Sequence, residues 1–176
     1  MQKLLQSKLL LIGTVCVVLV ISLFGASIAN AEDASHSCAN SKCQVGEVAT
    51  TYFRKDDSFR ACPTRELARY TMFVMGIASM SVQLTGKLPN ISDKTGEPEY
   101  LDDSHGSNQT RLMLDSMRSQ AKVATFDQAI ALCPQGVGKR AVTIMNIQTD
   151  DRVAYVLDNK NQQKYWMPLS HIDRHK

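Results

Sequence analysis

Between residues 62 and 83 the apolar side chains recur at Leu67, Tyr70, Phe73, Val74, Ile77 and Met80. Steps of three and four residues set them along one side of a 3.6-residue repeat, and the spacing predicts a helix over 62–83. Pro63 suits its first position, where a missing N–H costs nothing, and Glu66 places negative charge at the positive end. Arg65 and Arg69 fall on the opposite, solvated side. Gly76 in mid-helix costs about 1 kcal/mol relative to Ala, which points to close approach of a neighbouring backbone. Met72, Met75 and Met80 suit either an adaptable binding surface or an irregular core filled by flexible thioethers. The core is the simpler reading and the one adopted.

The pattern then changes twice. Gly86, Pro89, Gly96, Pro98 and Gly106 interrupt any regular element after residue 83. A loop of roughly 20 residues is uncommon inside a compact domain, and it marks this region as the first place to look for a contact surface. A second helix is predicted over 109–122, with Met113, Met117 and Ala121 on one stripe and Leu114 beside it. Thr125 and Gln128 have capping-box spacing and predict a short helix over 126–132, stopped by Pro134 and Gly136. From Arg140 onward the period is that of strands: 141–148, 153–157 and 164–167 are rich in β-branched and aromatic residues. Asp- or Asn-rich turns separate them at 149–152 and 158–161. The expected fold is α+β, with a small core of about three helices (62–134) followed by a three-stranded antiparallel meander (140–172). Upstream, 45–53 is a short β-branched and aromatic run after a polar opening.

Ahead of all this, Lys3 and Lys8 precede an apolar run over 9–24, and Ala29-Asn30-Ala31 fits the small-residue pattern of a signal-peptidase site. Residues 1–31 therefore read as a bacterial-style signal peptide, and 32–176 as a single exported domain of the periplasm or beyond. An uncleaved anchor is the competing reading, because the apolar stretch approaches the roughly 20 residues that span a bilayer. With cleavage, no stable membrane insertion is expected. Two lysines leave with the signal, so the 20 basic and 17 acidic residues of the whole chain reduce to a balance of +1. No basic cluster with interleaved aromatics occurs, and nucleic acid is set aside as a partner.

Export also sets the meaning of cysteine. Cys38, Cys43, Cys62 and Cys133 are an even set in an oxidising compartment, so two disulfides are expected. Three pairings are possible. Cys38–Cys43 as a tight local loop with Cys62–Cys133 across the helical region is the preferred one, since Cys62 stands at one helix start and Cys133 at another helix end. Zinc held by His36, Cys38 and Cys43 is the alternative, but the spacing matches no paired Cys-x-x-Cys knuckle. Asp102, Asp103 and His105 could be drawn as an acid–base cluster, yet Asp-Asp pairs recur at 56–57 and 150–151, as turns use them. His171 and His175, four apart at the chain end without a third ligand, read as a solvated tail. No catalytic residue, metal site or cofactor is assigned, and an enzyme is not expected.

Two partial resemblances give direction. Cys62, the Tyr70, Gly76-Ile77-Ala78, Leu88-Pro89 and Tyr100-Leu101 positions, and Ala131-Leu132-Cys133-Pro134 together resemble the small periplasmic immunity proteins of the Tai type. That resemblance implies a helical, disulfide-bonded inhibitor of a cell-wall-cleaving effector. The ending Tyr165-Trp166-Met167-Pro168-Leu169-Ser170-His171-Ile172 resembles the last strand and closing turn of bacterial Src-homology-3-like domains. These often bind peptides or cell-wall stems through aromatic grooves, which would make Tyr155, Tyr165 and Trp166 the partner contacts. Alternatively, Trp166 closes a small core between sheet and helices. The functional expectation is a non-enzymatic protein-binding module of the bacterial envelope (an inhibitor, immunity or adaptor protein). Its partner would be another envelope or secreted protein. The alternative is an accessory component of an envelope secretion, conjugation or pilus apparatus.

Overall fold

The computed structural model describes residues 36–54, 58–99 and 105–174, with the side chains of 105–107 excepted. The signal peptide or anchor expected over 1–31 lies outside the described residues, as do Asp102, Asp103 and His175. Among the described residues no helix is long and apolar enough to cross a membrane.

Strand β1 (Val48–Thr51) comes first, followed by helix α1 (Arg65–Thr85), a minimal hairpin of β2 (Asn90–Ile91) and β3 (Pro98–Glu99), and helices α2 (His105–Gln120) and α3 (Phe126–Leu132). Strands β4 (Ala141–Gln148), β5 (Val153–Asp158) and β6 (Lys164–Pro168) then lead through a 3-10 turn (Leu169–His171) into β7 (Ile172–Arg174). The fold is α+β with three helices, but the expected three-stranded meander is part of a larger sheet. Five antiparallel strands run in the order β6-β5-β4-β1-β7. The meander β4-β5-β6 is present; β1 adds to its β4 edge, pairing Ala49 with Val142, and β7 adds beyond, pairing Thr50 with Asp173. The two extra strands are four and three residues long and bond to partners some ninety or more positions away, so no local hairpin signal announces either.

Adjacent residues of β5 and β6 bury in different places. Ala154, Val156, Tyr165 and Met167 join Val142, Ile144, Ala49, Phe59 and Ile172 in one cluster, while Val153 and Trp166 pack with α1, α2 and α3 in another. Since neighbours on a strand point to opposite faces, the sheet is covered on both sides there. The register slips between Ile144 and Asn146, a bulge at Met145.

Helix α1 starts later than the periodicity suggested. Thr64 is its N-cap, with Oγ1 accepting from the Leu67 N–H at 3.2 Å. Cys62 is unavailable to the helix because its backbone exchanges two hydrogen bonds with Trp166, at 2.9 and 2.8 Å. Pro63 therefore precedes the cap rather than opening the helix. Gly86 ends it in the left-handed conformation (φ 72°), its N–H bonded to the Val82 carbonyl. Helix α3 spans the expected residues. Thr125 Oγ1 accepts from Gln128 N–H, and Gln128 Oε1 reaches back to the Ala124 N–H at 2.8 Å.

Both disulfides close in the preferred pairing. Cys38–Cys43 spans a five-residue separation, and Cys62–Cys133 a separation of 71, with Cα atoms 5.3 and 4.3 Å apart. The second is wholly buried and ties the approach to α1 to the end of α3, where Cys133 is the C-cap residue. Two closed disulfides fit an oxidising compartment.

Candidate functional site: exposed aromatic surfaces on a stapled scaffold

The three aromatic residues expected to meet a partner do not share one face. Tyr155 and Trp166 pair across β5 and β6, half-buried, with ring centroids 5.2 Å apart. Tyr165 points the other way, into the core under the sheet, and is 9% exposed. Strand alternation puts it opposite Trp166, so the three residues do not form one surface. The Tyr165 hydroxyl is pushed up to about 12, first by burial and then by the neighbouring Asp158 carboxylate, with Arg140 opposing. Asp158 is itself buried. Burial acts to raise its pKa, but the N–H groups of Lys160 and Asn161 and the Arg140 guanidinium outweigh it and hold the carboxyl below its ordinary range.

Trp166 has the role of the core alternative. Its backbone bridges Cys62, and its ring packs against the cluster around α1. Two salt bridges brace the same junction, Asp151 in the β4–β5 turn taking Arg65 at 2.8 Å and Arg69 at 3.3 Å.

A different aromatic surface lies where the segment after β1 runs between two others. Thr51 exchanges bonds with Lys139 and Arg140, and its Oγ1 donates to the Val137 carbonyl at 2.6 Å. On the other side, the Tyr52 N–H donates to the His171 carbonyl at 2.8 Å. Phe53 lies against Gly138 and, with ring centroids 5.7 Å apart, against Phe59. Phe59 in turn contacts the buried His171 ring at 5.6 Å. The close fit at Phe59 demands glycine at Gly136, where a Cβ would fall 1.9 Å from the ring. Tyr52 and Phe53 on this segment, and Val137 on the segment bonded to it, remain substantially exposed, Val137 by 55%. Beside them Arg54 sits 6.0 Å from the Tyr52 ring centroid, donates to the Ser170 carbonyl at 2.8 Å and pairs with Asp173. Tyrosine, phenylalanine and arginine around a fixed apolar centre are the side chains enriched at protein interfaces.

The run 45–53 was visible in the sequence as β-branched and aromatic, but its neighbours at 137–140 and 170–171 are brought together only by the fold. His171 is buried against Phe59, with Nδ1 3.1 Å from Ser170 Oγ, which corrects the solvated-tail reading for His171. Cys38 and Cys43 are joined to each other, which removes the thiolates of the zinc alternative. Among the described residues no group of three or more His, Cys, Asp or Glu side chains is placed to hold a metal ion.

The long connection after α1 is partly built into the core. The Thr95 carbonyl accepts from the Phe126 N–H at 2.7 Å. Glu97, 5% exposed, accepts from the Tyr70 hydroxyl at 2.6 Å and pairs with Arg118, which also holds Asp115. Burial, then the Glu97 carboxylate, raise the Tyr70 hydroxyl above its ordinary range.

Comparison with family models, with curated proteins and with solved structures found no match.

Proposed function

We propose that this chain is an exported, non-catalytic protein-binding module of the bacterial envelope, an inhibitor, immunity or adaptor protein that works by surface complementarity. The observation that carries the reading is the exposed Tyr52–Phe53–Val137 surface, held in place from below by Phe59 and His171 and at its side by the Arg54–Asp173 pair. Preorganised aromatic side chains lose little freedom on docking, so more of their burial becomes affinity. Two disulfides support export and keep such a surface fixed. The strand order, with a 3-10 turn before β7, supports the Src-homology-3-like resemblance of the ending; in that reading the helices are a long insertion between β1 and β4.

A stoichiometric partner should be recovered from envelope extracts by the wild-type protein after mild cross-linking. Val137→Asp, which places a charge on the most exposed of the three side chains, should lose it while melting normally. Recovery of no partner, or equal recovery by both proteins, overturns the reading.

A further inference from the structure

The two disulfides differ in access and in what closing them achieves. Cys62 and Cys133 are wholly buried, whereas Cys43 is half-buried between exposed Lys42 and Gln44. A thiolate in solution therefore has an approach to Cys43 that the inner bridge lacks. A bridge stabilises a fold chiefly by closing a long loop, and Cys62–Cys133 spans 71 positions. Cys38–Cys43 spans only five and restrains less of the unfolded chain. Its effect is local.

The segment it closes lies along β7 and the 3-10 turn that precedes it. The Cys38 N–H donates to the Ile172 carbonyl at 2.8 Å, and the Arg174 N–H donates to the His36 carbonyl at 3.0 Å. Ser37 Oγ, on a buried side chain, donates to the Leu169 carbonyl at 3.3 Å. Inside the loop the Asn40 and Ser41 N–H groups both return to the Ser37 carbonyl, at 2.9 and 2.8 Å, so the bridge closes over an already folded turn. Leu169, Ile172 and Arg174 alternate with the residues that hold the segment after β1. The Ser170 carbonyl accepts from Arg54 Nε, the His171 carbonyl accepts from the Tyr52 N–H, and Asp173 pairs with Arg54. β7 itself has three residues, paired with β1 on one side and bridged by Ser37 on the other. One short strip of chain, 169–174, is thus held by the disulfide loop and in turn holds Tyr52 and Arg54.

We propose that Cys38–Cys43 is a redox-sensitive clasp whose opening loosens the footing of Tyr52 and Arg54. The reductant is a dithiol. One of its thiolates attacks Cys43 Sγ, and the S–S bond breaks with its electron pair passing to Cys38 Sγ, which takes up a proton. The second thiol of the reductant, giving up its proton, then displaces Cys43 from the mixed disulfide. The dithiol is oxidised to a disulfide, and two electrons reduce the bridge to two thiols. With the loop open, 36–43 regains freedom and its bonds to 169–174 weaken. That this lowers affinity for a partner rests on the functional reading; the clasp itself does not.

The test is reduction of the full chain, purified from an exporting host, by dithiothreitol in native buffer, followed by alkylation and peptide mass mapping. Thiols should be trapped on Cys38 and Cys43, while Cys62–Cys133 stays closed until the protein is unfolded. Hydrogen exchange of this partly reduced form should be faster by about tenfold or more in peptides covering Tyr52 and Ile172–Arg174, and unchanged over Leu67–Val74. Transfer into oxidised glutathione should close the bridge and slow exchange again. Cys38→Ser combined with Cys43→Ser should exchange fast without any reductant. A Cys38–Cys43 bridge that resists dithiothreitol, release of all four cysteines together, exchange at Tyr52 indifferent to release, or a bridge that does not re-form each overturns the proposal. Partner capture is a separate readout, so a chain that switches in this way but captures nothing contradicts the functional reading alone.

Discussion

Tyr70, Glu97 and Arg118 form the most consequential polar contact among the described residues, because Glu97 is a nearly buried carboxylate on a hairpin with only two residue pairs of its own. Removing one partner of a buried pair costs more than the pair contributes, since the other charge is left behind. Glu97→Gln should lower stability by about 3 kcal/mol or more, and Tyr70→Phe by roughly 1–2 kcal/mol, in urea unfolding. The reverse order would contradict the placement of Glu97 at the centre. Tyr165 gives a pH prediction. Unfolded, its hydroxyl ionises near 10; folded, it holds its proton to about 12. Stability is therefore complete below pH 10 and falls as pH rises between the two values. Tyr165→Phe should flatten that alkaline limb in pH-dependent melts, and an unchanged limb would place the ionisation elsewhere. None of these roles was legible in the sequence. Tyr70 was placed on the correct helix side, but its partner Glu97 sits in a stretch read as loop. The direction of Tyr165 depended on which strand face each cluster would cover.

The helices were the most legible elements because their signals are local. Thr125 and Gln128 specify α3 within four residues, and the stripe on α1 needed only its own spacing. Its start was misplaced by two to three residues because Cys62 answers to Trp166, a hundred positions away. The sheet was half legible for the same reason: β4, β5 and β6 are joined by short turns, whereas β1 and β7 find their places only through distant pairing. The disulfides follow chain distance. Replacing Cys62 and Cys133 with Ala should cost about 4 kcal/mol and replacing Cys38 and Cys43 about 2 kcal/mol, because the longer loop restrains more of the unfolded chain. Equal losses in denaturant titrations would show that the buried bridge contributes no more than local geometry.

For the whole molecule, the sequence points to export and to a stapled α+β build more clearly than to a working surface. The resemblance of the ending to Src-homology-3-like domains implies Tyr155, Tyr165 and Trp166 as contacts, yet Tyr165 is core and Trp166 packs on the cluster around α1. The surface formed by Tyr52, Phe53 and Val137 has no sequence signature, since its parts come from opposite ends of an 85-residue excursion and meet beside the 3-10 turn. The most direct test of the functional account is quantitative capture from envelope extracts by wild type, Val137→Asp and Phe53→Ser, with mild cross-linking and stability controls. The account predicts one partner held in fixed stoichiometry by the wild type and lost from both folded variants. A partner retained by both, or none at all, would contradict it.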